Sequence, residues 1–288
     1  MRRSVIFDAK ADLLAYGMGE TATREIAKRL DRGEDVSSIH DVPGTAYITK
    51  DKSDCKYDFV EVASYEEVCR DKTAYAKANM TAYDEHDPIR GKAILQDCGG
   101  RTLVVNPPAM PLSRREFDRV YELPYMKTWH PVYEAQGGVP AIEEVRFSII
   151  HNRDCFVACN FCALAFHQGR MITSRSQESV LKEAESIAKL PDFKGYIHDV
   201  GGPTANFRHP SCEKQLKNGM CRGKNCLTPT PCKNLDADHS EYLSLLRKMR
   251  KIPGIKKVFV RSGVRFDYVL ADKKGEFLPE LVKYHISG

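Results

Sequence analysis

Val145-Arg146-Phe147-Ser148-Ile149-Ile150-His151-Asn152-Arg153-Asp154-Cys155-Phe156-Val157-Ala158-Cys159-Asn160-Phe161-Cys162 is the stretch on which the reading of this 288-residue chain turns. Its first six residues, rich in β-branched and aromatic side chains, read as a strand. Three cysteines follow at the carboxyl end of that strand, within eight residues and with gaps of three and two. A loop of this spacing can put three thiolates on three corners of a cubane iron–sulfur cluster, which leaves the fourth iron without a protein ligand. Catalytic metal sites keep such an open position, whereas structural ones usually close it. The competing readings are three unconnected thiols, or a zinc knuckle completed by His151 or His167. Zinc sites usually pair their cysteines as CxxC and bring a second pair from a distance.

From Glu143 onward strand and helix signals alternate, which argues for βα units and a parallel sheet. A helix is expected to open at Ser174, with Gln177 three positions on as a capping-box partner, and to present Val180, Leu181, Ala184, Ile187 and Ala188 on one face before Pro191. Lys194 to Val200 reads as the second strand, ending in Gly201-Gly202-Pro203-Thr204. A further helix is expected from Asp238, paired with Glu241, carrying Tyr242, Leu245, Leu246 and Met249. Lys257 to Ser262 reads as the third strand, Leu278 to Tyr284 as a short helix, and His285-Ile286-Ser287-Gly288 as the start of a fourth strand. In parallel α/β barrels reactive groups gather on loops at the carboxyl ends of strands. The cysteine loop, Gly201-Gly202, and Ser262 with Arg265 all fall at that level.

The sequence before Glu143 is less regular. Residues 1–50 read as part of an α/β domain, with a strand over Ala11–Gly17, a plain glycine turn at Gly17-Met18-Gly19-Glu20 and a helix from Thr21 to Leu30. Residues 51–142, rich in charge and proline, read as a connecting or covering segment, with a helix near Ser113 to Leu123 and structural rather than catalytic roles for Trp129 and His130. Residues 143–288 form the third part, an incomplete barrel core.

Forty-four basic and 39 acidic residues leave a formal charge of +5, too balanced to mark a nucleic-acid binder. Lys214, Lys217, Arg222, Lys224 and Lys233 make a local basic excess, and a second group from Arg247 to Lys257 reads as a solvated helix end. No run of eighteen apolar residues occurs, and the opening of the chain reaches an acid too early for a signal-peptide core, so a soluble cytoplasmic protein is expected. Ten cysteines in such a chain argue for metal ligation or reduced thiols. Cys55, Cys69 and Cys98 have no ligand-like spacing. Cys212, Cys221, Cys226 and Cys232 lie in a Gly/Pro/Lys-rich segment with little apolar content, where a metal can supply order that a hydrophobic core cannot. Zinc and a second iron–sulfur cluster both suit them, and reduced thiols are the alternative.

The cysteine loop, with an aromatic residue directly before its last cysteine, resembles the radical S-adenosylmethionine (radical SAM) superfamily. The runs Phe166-His167-Gln168-Gly169-Arg170-Met171-Ile172-Thr173-Ser174-Arg175-Ser176 and His198-Asp199-Val200-Gly201-Gly202-Pro203-Thr204-Ala205-Asn206 resemble more closely the YgiQ-type radical SAM proteins, and the likeness extends over essentially the whole chain. The resemblance implies a partial radical SAM (β/α) barrel with parallel strands, preceded by part of an α/β domain. It implies that Cys155, Cys159 and Cys162 hold a 4Fe-4S cluster whose open iron takes S-adenosylmethionine. In that superfamily a Gly-Gly-Glu holds the methionine amino group; Pro203 stands in place of the acid, which leaves the carbonyls of Gly201 and Gly202 as the implied contact. Ser262, Arg265 and Arg170, with Arg175 as a competitor, are implied for ribose or carboxylate.

The implied chemistry is reductive cleavage of the sulfonium to methionine and a deoxyadenosyl radical, with electrons from a flavodoxin- or ferredoxin-like reductant and a small molecule or RNA as substrate. The other readings are a metal-stabilised electron-transfer module and an RNA-binding module using the basic segment, neither of which cleaves S-adenosylmethionine. No Asp-x-His-x-x-Gly motif is present, so cobalamin is not expected. Measured against that family the chain is expected to lack segments at both ends, and therefore to be inactive alone.

Overall fold

Thr45-Ala46-Tyr47-Ile48-Thr49 is almost wholly buried, as a strand covered on both faces must be. It is the second strand of a five-stranded sheet: β1 (Leu14–Ala15), β2 (Thr45–Thr49), β3 (Phe59–Val62), β4 (Ala93–Asp97) and β5 (Thr102–Val105), in the order β1-β2-β5-β4-β3. Only β3 and β4 run parallel. The computed structural model describes residues 3–157 and 159–286, in two compact units. The sheet belongs to the first, which comprises Met1–Pro111, Ala158–Arg170 and Glu213–Lys224.

Alternation along the strands builds a core on each face of this sheet. Ala46 and Leu103 pack with Ile6 and Phe7 on one side, while Tyr47, Leu95 and Val104 pack with Leu13 and Tyr57 on the other. Three of the five strands come from the stretch after residue 50 that reads in sequence as connecting, because their four- or five-residue apolar runs are too short to stand out among charges and turns. The strand expected over Ala11–Gly17 shrinks to Leu14–Ala15, antiparallel to β2, and ends where Gly17 takes a φ of +71°. The helix expected from Thr21 runs Glu20–Asp31.

The second unit comprises Leu112–Val157, Met171–Cys212 and Asn225–Gly288. Its strands are β6 (Ser148–Ile150), β7 (Asn152–Arg153), β8 (Thr173–Ser174), β9 (Tyr196–Ile197), β10 (Asp199–Gly201) and β11 (Lys257–Val258). β10 pairs parallel with β6, and β11 parallel with β9. Further backbone bonds, His198 N–H to Phe147 O (2.9 Å), Phe259 N–H to Ile197 O (3.0 Å) and Val260 N–H to His285 O (2.9 Å), carry the order onward from one segment to the next. This is the parallel α/β arrangement expected of βα units. Of the expected fourth strand, Ser287 and Gly288 lie outside the described residues. Helices Gln177–Ala188, Ser240–Met249 and Phe277–Tyr284 cover the strands with Val180, Ala184, Ile187, Leu245, Leu246 and Met249, all fully buried.

Three expected boundaries move, each for a local reason. Ile142–Val145 is a helical turn, with Glu143 and Glu144 favouring its amino end, so the strand begins at Ser148 rather than Val145. The helix after the cysteine loop is capped by Ser176, whose Oγ accepts from Ser179 N–H at 3.0 Å; Ser174 instead sits in β8 and donates to Arg208 O at 2.6 Å. The helix expected from Asp238 starts at Ser240, and Glu241 forms no capping box because it pairs with Arg208 at 2.6 Å. By contrast, Ser113 and Glu116 close a full capping box on helix Arg114–Tyr121.

Leu246, fully buried in the second unit, and Leu278, 50% exposed on its surface, provide a test of this core. Leu246→Ala is expected to cost about 2–5 kcal/mol and Leu278→Ala no more than about 0.5 kcal/mol, measured by denaturant unfolding.

Candidate cluster and cofactor site

The cysteine loop leaves the second unit after β7 and enters the first with the segment Ala158–Arg170. Cys155 and its neighbour Asp154 follow β7, and Asp154 takes a φ of +76°, which turns the chain sharply before the first cysteine. Cys155 Sγ lies 4.0 Å from Thr204 Oγ1, on the turn after Gly201-Gly202. Cys159 and Cys162 form a tight turn, with Cys162 N–H donating to Cys159 O at 2.9 Å. Phe161 between them is 93% exposed. All three cysteines are partly buried thiols outside any disulfide. Three thiols on one short loop are a donor set suited to iron. Among the described residues no three His, Cys, Asp or Glu side chains converge closely enough to hold a metal ion. Cys212, Cys226 and Cys232 lie in the second unit and Cys221 in the first, with Cys232 N–H bonded to Cys226 O at 2.8 Å.

Gly201 ends β10 and Gly202 follows it, and neither takes a positive φ; space is what demands glycine here. A side chain on Gly201 would overlap Ser262 and Asp199, and one on Gly202 would overlap Asn152. The Gly201 carbonyl accepts the His151 N–H at 2.9 Å. Asn152, fully buried, donates to Thr204 O (3.0 Å) and Phe207 O (2.6 Å), while its Oδ1 has no hydrogen-bond partner. Ser262 bonds the Asp199 carboxylate through its hydroxyl, and the N–H groups of Arg261 (2.8 Å) and Ser262 (3.1 Å) donate to Asp199 Oδ1. Asp199 therefore sets the loop after the third strand. Its position two residues before Gly201 on one strand face was the available signal.

The arginines divide. Arg175 spends its five N–H donors on Ile150 O, Glu183, Ser179 O and Ser179 Oγ, and stacks on Tyr121, so its role is structural. Arg265 makes a bidentate pair with Asp267, both contacts at 2.8 Å. Arg170, in the first unit, is buried over the Tyr83 ring at 4.4 Å, with its Nε unpartnered. Arg222 of the basic segment pairs with buried Glu85 at 2.8 Å, so this charge is already matched. Trp129 Nε1 donates to Glu134 at 2.8 Å and His130 Nδ1 accepts from Val132 N–H at 3.2 Å, both local contacts. Burial pushes the Cys98 thiol up to about 11, which keeps it protonated at neutral pH.

Beneath the glycine turn lies a polar network that the sequence reading missed. Arg208, 2% exposed, donates to Arg175 O (2.9 Å), Glu241 (2.6 Å) and His151 Nδ1 (3.2 Å), while His151 Nε2 bonds Ala205 O at 2.8 Å. Burial, then the Arg208 charge, hold His151 well below the usual histidine range. His239 links Asn206 (2.9 Å) to Asp272 (3.0 Å), and burial lowers it too.

The family model for radical SAM N-terminal regions matches residues 1–148, just over half of the chain. The chain belongs to the radical SAM N-terminal family. Its match takes in the five-stranded sheet and ends before Cys155. Curated relatives continue the likeness through the cysteine loop to the last residue. A UPF0313 protein of Clostridium perfringens is 53% identical over 288 residues, and one of Clostridium botulinum 56% identical over the same span. Each alignment takes in 100% of this chain and 44% of the relative. The chain thus spans less than half the length of these relatives. No helix among the described residues is long and apolar enough to cross a membrane.

Two measurements test this arrangement. Asp199→Ala removes the acceptor that holds the Arg261 and Ser262 amides, and hydrogen exchange at those amides is expected to accelerate about tenfold or more. For His151 and His239 the folded-state pKa lies below the unfolded value near 6.5, so below about pH 6.5 the unfolded chain binds more protons and stability falls. The thermal midpoint should therefore drop between pH 7 and pH 5, and His151→Gln should lessen that drop.

Proposed function

We propose that this chain is the amino-terminal and cluster-bearing part of a radical SAM enzyme, with Cys155, Cys159 and Cys162 as the ligands of a 4Fe-4S cluster. The observation that carries the reading is a three-thiol loop at the carboxyl end of parallel-paired strand segments, in a chain whose family is radical SAM. In α/β proteins of this kind, loops at that end are where chemistry is placed. A partial (β/α) barrel, completed in a longer chain, is the fold that suits this reading.

The residues divide the work. The loop thiolates would ligate three irons, and S-adenosylmethionine would take the fourth. When bound, this pair of cofactors supplies reductive cleavage of the sulfonium, with one electron from a flavodoxin- or ferredoxin-like donor giving methionine and a deoxyadenosyl radical. The Gly202 backbone and the polar group Asn152, whose buried Oδ1 is unpartnered, would meet the amino-acid end of the cofactor. Ser262, oriented by Asp199, would meet its ribose. Arg170, with an unpaired Nε, is a better candidate for a carboxylate than Arg265, whose guanidinium already grips Asp267. Cys212, Cys221, Cys226 and Cys232 would hold a second iron–sulfur cluster or zinc. The substrate is a small molecule or RNA, and the protein works in the cytoplasm.

Anaerobic reconstitution of the chain is expected to load about four irons from the first site. Serine at Cys155, Cys159 or Cys162 should remove that iron and its visible absorption, whereas any metal at the later cysteines should survive. Deoxyadenosine should form with a reductant in a full-length relative and not in this chain alone. Unchanged iron uptake in all three serine variants would falsify the assignment.

A further inference from the structure

The first unit holds a cavity of about 400 Å³, within the size range of small-molecule sites, and the cluster reading does not use it. Ile94 and Val105 supply apolar wall from the sheet, and Tyr16, His86 and Phe166 supply rings. His86 lies between the other two, with ring centroids 6.0 Å from Tyr16 and 5.8 Å from Phe166. Such walls suit a flat aromatic guest, because rings stack or meet edge to face at these distances.

One side chain on this wall is open to a guest as a hydrogen-bond acceptor. His86 is half-buried, and neither of its ring nitrogens has a hydrogen-bond partner among the described residues. Burial, followed by the charge of Arg170, holds its imidazole below the usual histidine range, so one nitrogen is an acceptor at neutral pH.

The mount of His86 is rigid. Its neighbour Glu85 accepts from Lys92 N–H (2.9 Å) and Arg222 (2.8 Å), and its neighbour Asp87 accepts from Ile89 N–H (2.9 Å) and Met220 N–H (2.7 Å). The backbone that carries the ring is thus anchored on both sides, which lowers the ordering cost of binding.

We propose that this cavity binds a small, uncharged, planar heteroaromatic molecule bearing an N–H donor, recognised by the aromatic walls and by the acceptor nitrogen of His86. This reading does not rest on the cluster assignment, and its test does not depend on iron.

Calorimetric or NMR titration of the whole chain with indole, and with N-methylindole as the same ring without the donor, decides the matter. Indole is expected to saturate one site, and N-methylindole to bind about tenfold or more weakly, since the His86 nitrogen stays unpaired. Ala82→Phe, at a residue lining the cavity, should abolish indole binding by filling the space. His86→Phe keeps a ring and removes the acceptor, and should weaken indole about tenfold while narrowing the gap to N-methylindole. Should Ala82→Phe fail to fold, His86→Phe decides alone. The proposal is overturned if indole does not saturate, if N-methylindole binds equally well, or if the folded variants bind as the parent does.

Discussion

A guanidinium buried to 2% exposure beneath the strand ends constrains the whole second unit. Arg208 cannot leave its charge unmatched in that interior, so Glu241 must be brought to it from the helix Ser240–Met249 at 2.6 Å. Two further N–H groups fix the carbonyl of Arg175 beside β8 and the ring of His151 before β7, while its Nε has no partner. One cation thereby joins a helix, two strand ends and the turn carrying the glycines. Losing Glu241 would leave Arg208 buried and uncompensated, which is far worse than never having built the pair.

The histidines follow from that choice. With Arg208 donating to Nδ1, His151 must carry its proton on Nε2, where Ala205 O accepts it, and a second positive charge there is excluded by burial and repulsion together. His151 is then a fixed neutral strut, and its own N–H reaches the Gly201 carbonyl. His239 reaches the same neutral state from the opposite direction, because Asp272 favours a proton on it but burial outweighs that pull. Electrostatics beneath the glycine turn thus resolve into paired charges and uncharged rings.

What the sequence made legible was what spacing alone encodes. The run Val180, Ala184, Ile187 carries a helical period that only burial against a sheet explains. Caps were harder, since Ser174 and Ser176 are equally good cap residues and only the pairing of β8 with β7 decides which one is spent on the sheet. The short strands of the first unit were hidden because four-residue runs such as Phe59–Val62 resemble loops until their partners are known. Asn152 under Gly202, and the cavity gathered from Tyr16, His86 and Phe166, depend on meetings between distant residues, which no local pattern records.

The glycine pair shows why a motif needs its surroundings. Glycine in a turn usually signals a left-handed backbone, as at Gly17, but Gly201 and Gly202 take no such φ. Their side chains are excluded by Ser262, Asp199 and Asn152 of the same unit, so the protein itself accounts for both glycines before any ligand is considered. The Gly201 carbonyl is likewise engaged, by His151. Under the proposed function the Gly202 backbone and the amide oxygen of Asn152, which has no other partner, would meet the cofactor. Pro203 would then stiffen the turn, and the polar contact would fall to an asparagine fifty residues earlier in the chain.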